Sequence, residues 1–215
     1  MDEIREAKIE CRKAAREKLA ATTEEYRSEA SVKIALNALN IPEMKEKKRT
    51  GLLGLKKTDK TVLAYCSVGS EPSTLALISK LLESGRRVCL PLCTDLDEEG
   101  HRTGAFDAME ARQITGFDDL TAGAYGIPEP KAETTLVPSE EIDIIILPCV
   151  SCDRQCRRIG HGAGYYDKYL KTVRKDCFTM ALCYEEVLSD ELPAEEHDVP
   201  VDAVVTEKTV YRWRG

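Results

Sequence analysis

The chain has 215 residues, 42% of them apolar and 32% charged, which suits one sizeable globular domain. Its formal net charge of −7 and pI near 5.2 argue against general nucleic-acid binding. No apolar run approaches ~20 residues, and the first residues (Met1-Asp2-Glu3-Ile4-Arg5-Glu6) are charged. We therefore read neither a membrane span nor a signal peptide, and expect a cytoplasmic protein. Residues 2–20 read as a highly charged amphipathic helix. Thr22-x-x-Glu25 reads as a capping box for a second helix running to about Asn40, with Pro42 ending it. Residues 45–60 are rich in lysine and read as a solvated basic loop.

Thr61–Cys66 is a predicted strand. Ser70-Glu71-Pro72-Ser73 is expected to start a helix with proline in its first turn, and Gly85 to stop it. Leu75, Leu77, Ile78, Leu81 and Leu82 form the apolar side of that helix. Arg87–Pro91 is the next strand, so a parallel pair with a right-handed crossover is expected. Thr94–Gly100 reads as an acidic turn, 101–114 as a strand or hairpin arm, and Tyr125–Pro130 as a rigid loop. Ile142–Leu147 is nearly all apolar, as in a central parallel strand. Cys177–Cys183 and Val201–Thr206 are the last strands. The expected fold class is α/β: a three-layer sandwich around a mostly parallel sheet, a single domain over 1–215.

The most informative segment is Arg158-Ile159-Gly160-His161-Gly162-Ala163-Gly164-Tyr165-Tyr166-Asp167. Glycine lets backbone N–H groups approach an anion closely and accepts positive φ. The residues from Tyr165 to Val173 read as a helix, whose N-terminus would carry partial positive charge. Arg158 offers a two-pronged phosphate donor and Asp167 a magnesium ligand. Neither the Walker A pattern nor the Rossmann fingerprint is present. The residues alone therefore point to a phosphate site, for a nucleotide with its metal.

Nine cysteines without a secretion signal argue against a disulfide scaffold. Cys66, Cys89 and Cys183 lie in apolar stretches and read as small hydrophobes. Cys149, Cys152 and Cys156 cluster before the glycine run, with His161 nearby. They read chiefly as substituted core or turn positions, and otherwise as a zinc or iron–sulfur site.

Leu147-Pro148-Cys149-Val150-Ser151-Cys152-Asp153 together with the glycine run resembles the signature of the 5-formyltetrahydrofolate cyclo-ligase (5,10-methenyltetrahydrofolate synthetase) family. Four further segments resemble that family in order. They are Lys8-x-x-Cys11-Arg12, Tyr65–Thr74 with Glu71, Tyr125-Gly126-Ile127-Pro128-Glu129-Pro130, and Leu192–Asp202 with Asp198.

The resemblance implies ATP- and magnesium-dependent closure of 5-formyltetrahydrofolate to 5,10-methenyltetrahydrofolate. The formyl oxygen takes the γ-phosphate, N10 attacks the resulting imidate phosphate, and phosphate leaves. Such chemistry needs charge clamping and positioning more than a protein nucleophile. It implies that Lys8 and Arg12, four apart on one helix face, contact ATP phosphates. Arg158, Ile159, Gly160, His161, Gly162, Ala163, Gly164, Tyr165 and Tyr166 are implied to cradle the nucleotide, with Arg158 and Tyr165 catalytic. Cys66, Glu71 and the 161–165 run are implied to face the folate, and Asp167 and Asp198 to bind Mg2+. The implied partner is a small molecule, a reduced folate with or without a polyglutamate tail. No nucleic acid or membrane is expected, and the protein is expected to be a monomer or weak homodimer.

The chain departs from the family pattern. Cys11 stands for leucine, Cys149 and Cys156 for glycine, and Cys152 for phenylalanine. His161 and Ala163 occupy positions that are often basic. Two other readings follow from these departures: a binding protein of the same family without turnover, and a metal or redox protein built on the cysteines.

Overall fold

A computed structural model describes residues 2–45, 60–94, 109–123, 126–162, 164–195 and 198–214. Most of the 45–60 loop, all but the first residue of the Thr94–Gly100 turn, residues 101–108, Tyr125 and Ala163 lie outside them. The elements in chain order begin with α1 (Asp2–Ala21), α2 (Glu24–Asn40), β1 (Val62–Leu63), α3 (Leu75–Glu83), β2 (Val88–Cys93) and β3 (Met109–Ile114). They continue with β4 (Leu120–Ala122), β5 (Pro128–Pro130), β6 (Thr135–Val137), β7 (Ile144–Leu147), β8 (Ser151–Cys152) and β9 (Arg158–Ile159). The last are α4 (Tyr165–Tyr169), β10 (Phe178–Leu182), β11 (Ala203–Val205) and β12 (Val210–Arg212).

An eight-stranded sheet runs β12-β11-β10-β7-β1-β2-β3-β6. Its five middle strands are parallel, and β12, β3 and β6 add antiparallel edges. The α/β class with a mostly parallel sheet is as expected. β7 sits between β1 and β10, and all four of its residues are buried. A strand covered on both faces has no solvent side on which polar residues would alternate. Helix α2 buries Ala30, Ile34, Ala35 and Ala38 and packs on α3 and β11. Helix α3 buries Leu77, Ile78 and Leu81 and packs on α2 and β2.

Several boundaries differ from the sequence reading. The cap of α2 is Thr23, whose side chain accepts from Tyr26 N–H at 3.1 Å. Thr22 instead closes α1, its hydroxyl donating to the Leu19 carbonyl at 2.7 Å. Helix α3 starts at Leu75 with Thr74 as its N-cap, so Ser70–Ser73 precede it as loop. The Thr74 hydroxyl donates to the Tyr65 carbonyl at 2.6 Å, which holds that loop against the end of β1. Gly85 does stop the helix, at φ +78°. Pro128–Pro130, read as part of a rigid loop, is a short strand paired with β4. The glycine run leaves a two-stranded hairpin, β8–β9, that intervenes after β7.

Candidate active site

The glycine run is bent by backbone that glycine alone adopts easily. Gly162 has φ +100° and Gly164, the N-cap of α4, has φ +75°. A Cβ at Gly162 would stand 3.7 Å from the Arg12 guanidinium. Helix α4 has five residues, not the nine expected to Val173, so its dipole is small. An anion here depends on side-chain cations and loop N–H groups.

Arg158 comes from β9. Its side chain is 7% exposed, and it donates to Asp167 Oδ1 at 2.5 Å. Its buried Nε has no hydrogen-bond partner, and neither does the buried Tyr166 hydroxyl one helical step from Asp167. Two buried donors without acceptors are costly unless an incoming group supplies them. Arg158, Asp167 and Asp198 line one cleft, together with Arg157. The two aspartates lie 31 residues apart in sequence, and the C-terminal segment brings them together. Lys8 of α1 reaches into this region, donating to Asp198 Oδ2 at 2.6 Å and to Glu195 Oε2 at 2.7 Å. Burial pulls the Lys8 ammonium down, and the bonds to Asp198 and Glu195 more than reverse that, leaving its pKa raised.

One helical turn further along α1, Arg12 Nε donates to the Gly160 carbonyl at 2.8 Å. A turn beyond, Arg16 lines a second cleft with Glu71, Cys149, His161, Cys183 and Tyr184. Its volume is about 50 Å³. There His161 Nε2 and Glu71 Oε1 are 2.9 Å apart, and Glu71 Oε2 accepts from Val68 N–H at 2.9 Å. The Glu71 side chain is 8% exposed and the His161 side chain 51%. The bond to Glu71 holds the His161 imidazolium pKa above its ordinary value, against the opposing pull of burial. Lys8, Arg12 and Arg16 thus form one stripe at a spacing of four, serving both clefts and the glycine run between them. Arg16 was not singled out from sequence, although that spacing was there to extend.

Other expected residues fall differently. Ile159 is buried and pairs with Ser151 in the β8–β9 hairpin. Tyr165 packs partly buried against the core. Cys66 is buried at the end of the β1 segment, its thiol pushed up to about 11 by burial and by the Glu129 carboxylate. Glu129 is 6% exposed, and burial raises its own pKa. It fills the space beside Gly123, where any Cβ would lie 2.5 Å from its side chain. Cys156 does not join Cys149 and Cys152; the third sulfur near that pair belongs to Cys183. Cys156 is buried elsewhere at φ +64°, a backbone that favours glycine, the residue its family resemblance led us to expect there.

A sequence profile of the 5-formyltetrahydrofolate cyclo-ligase family matches residues 4–207. The chain belongs to the 5-formyltetrahydrofolate cyclo-ligase family. It is therefore an enzyme of a ligase family. It is 36% identical to the 5-formyltetrahydrofolate cyclo-ligase of Mycolicibacterium smegmatis over 192 residues, 85% of this chain and 95% of that one. It is 30% identical to the Escherichia coli K12 enzyme of that name over 155 residues, covering 71% and 81%. The structure of Aquifex aeolicus 5,10-methenyltetrahydrofolate synthetase matches it with TM-score 0.76 and 31% identity, over 97% of this chain and 93% of that one. No helix among the described residues of this cyclo-ligase family member is long and apolar enough to cross a membrane.

Proposed function

We propose that this chain closes 5-formyltetrahydrofolate to 5,10-methenyltetrahydrofolate in the cytoplasm, converting ATP to ADP and phosphate through a phosphorylated formyl intermediate. The observation that carries this reading is the pairing of charges around the glycine run. Arg158 rests on Asp167, and Lys8 rests on Asp198 and Glu195. These five side chains lie at or beside one cleft. A magnesium nucleotide presents a dication and a polyanion together. It suits such pairs, because each carboxylate can move to the metal as each cation moves to phosphate. Bound there, Mg2+ would neutralise phosphate charge and hold the γ-phosphoryl group for transfer.

The chain's own residues then have distinct tasks. Arg158 supplies its second, now unpartnered, N–H to an equatorial phosphate oxygen. The Tyr166 hydroxyl supplies another donor from α4. Arg12 holds the glycine run through the Gly160 carbonyl. Glu71 accepts from the pterin N–H groups, and His161, held on Glu71, sits between folate and nucleotide. No protein nucleophile is needed: the formyl oxygen attacks phosphorus and N10 closes the ring. Tyr165 and Cys66 bound the folate side.

The test is a near-ultraviolet absorbance assay for the methenyl product with 5-formyltetrahydrofolate, ATP and magnesium. A rise that requires both ATP and magnesium is expected. Folded protein that binds ATP and gives no rise would leave the binding-protein reading, for which the missing basic residue at Ala163 is the sequence ground.

A further inference from the structure

Among the buried thiols that the proposed reaction leaves unused, three converge. Cys149 follows β7, Cys152 lies in β8, and Cys183 follows β10. Their sulfurs all lie within 4.8 Å of one another. Cys152 and Cys183 are 0% and 1% exposed, and Cys149 is 6% exposed. The convergence has a structural origin. Strands β7 and β10 are parallel neighbours with Leu147 beside Ala181, and two residues further along each chain stand Cys149 and Cys183. Cys152 arrives from the same side through the turn into β8.

We propose that Cys149, Cys152 and Cys183 form a binding site for a thiophilic divalent metal ion of the Zn2+ type. Zinc–sulfur bonds of about 2.3 Å place thiolates roughly 3.8 Å apart around one ion, so this triangle closes on a metal with small side-chain movements. Three sulfurs select Zn2+ or Cd2+ over Mg2+, which prefers oxygen. Three thiolates on a dication leave one net negative charge, and on a monovalent ion they leave two. A buried site tolerates the smaller excess better, and the Arg158 guanidinium acts favourably on the Cys149 thiolate. The cluster is not sealed. Cys149 and Cys183 line the cleft that holds Glu71 and His161, which gives the ion a route in and leaves its fourth position to water. Binding breaks three S–H bonds, forms three metal–sulfur bonds and releases three protons, with no electron transfer. The Sγ–H groups of Cys149 and Cys183, now 3.1 Å from the Leu182 carbonyl and 3.4 Å from the Tyr184 carbonyl, lose those contacts in exchange.

The site rests on cysteine positions alone, so its test is independent of turnover. Full-length protein, reduced and stripped of metal, is titrated with Co2+ without oxygen. A stoichiometric sulfur-to-cobalt charge-transfer band is expected, together with the strong visible bands of a four-coordinate ion, both abolished by one equivalent of Zn2+. Cys183→Ser and Cys152→Ala should each lose the band, with folding checked by circular dichroism. Cys177→Ser, at a buried thiol away from the cluster, should keep it. A missing or substoichiometric band, or one that survives in folded Cys183→Ser or Cys152→Ala, overturns the proposal. So does a disulfide between two of the three that forms on exposure to air and leaves folded, re-reduced protein without the band, because a redox pair would then explain the cluster.

Discussion

Arg158 and Asp167 make a close ion pair in which one partner is nearly buried and the other is 66% exposed. That asymmetry decides what each substitution does. Arg158→Ala strands no buried carboxylate, so the fold should survive while a phosphate donor is lost. A hydrogen bond to a charged group is worth about 1.5–3 kcal/mol, so the ATP requirement should rise roughly 10- to 100-fold. An unchanged KM for ATP would remove Arg158 from the nucleotide site. Asp167→Asn should keep the fold and lower turnover chiefly at limiting magnesium; equal activity across a magnesium titration would defeat the metal-ligand assignment. His161 gives a pH test. Its pKa is raised in the folded protein by the bond to Glu71, so the folded state holds that proton more tightly than the unfolded chain. The stabilisation is therefore complete below the unfolded value of about 6.5 and is lost as pH rises through the higher folded value. Urea midpoints of wild type and His161→Gln should differ most near about pH 5.5 and converge in mildly alkaline buffer. A difference that does not vary with pH would mean that the imidazolium–carboxylate bond is absent. The residues alone pointed only to a phosphate site with its metal, and the individual roles came from the family resemblance, because arginine, glycine and aspartate also serve turns and surface ion pairs. Cys156, read chiefly as a substituted core or turn position, is one: its φ of +64° preserves a glycine backbone under a cysteine side chain.

Among the elements, periodicity located both long helices to within a residue or two, while cap chemistry was misread by one residue. Thr22 and Thr23 are adjacent and chemically identical. Only the backbone path decides which one accepts Tyr26 N–H and which one donates back to Leu19. Thr23→Ala should destabilise the protein by about 1 kcal/mol in chemical denaturation, the usual cost of removing an N-cap oxygen. A loss below about 0.3 kcal/mol would put the cap elsewhere. The start of α3 was misplaced for a related reason. Pro72 suits a first helical turn, but Thr74 is recruited by the Tyr65 carbonyl, and the helix begins after it. That delay leaves Glu71 on a loop beside His161 rather than on the helix. The cysteine cluster was half legible. Cys149 and Cys152 share a short segment, but Cys183 joins them only through the β7–β10 pairing, which no local pattern encodes.

Across the whole molecule, the five parallel strands were readable, as was the β1–β2 pair joined by α3, while the edge strands β6 and β12 and the places of β7 and β10 were not, because β7 pairs with strands far from it in the chain on both sides. The site shares that property. Lys8, Glu71, Arg158 and Asp198 come from four distant segments, joined by bonds spanning up to 190 residues. The unfolded chain therefore has no such site, and a ligand of the assembled site must stabilise the fold as a unit. At a concentration 100 times Kd the gain is about 2.7 kcal/mol. For a chain of this size each kcal/mol moves Tm by about 2–4 °C, so magnesium ATP should raise Tm by roughly 5–11 °C. If Lys8 and Arg158 give up their carboxylates to reach phosphate, the rise should shrink in Arg158→Ala at any magnesium level. In Asp167→Asn it should fall to what wild type shows with ATP and a chelator. Lys8→Ala separates docking from binding, because it also frees α1 from Asp198 and Glu195. Hydrogen exchange across α1 should then quicken without nucleotide and slow little when it is added. A full Tm rise in Arg158→Ala, or one indifferent to magnesium in wild type, would place the nucleotide away from this cleft. The ion pairs around the glycine run would then serve the fold alone.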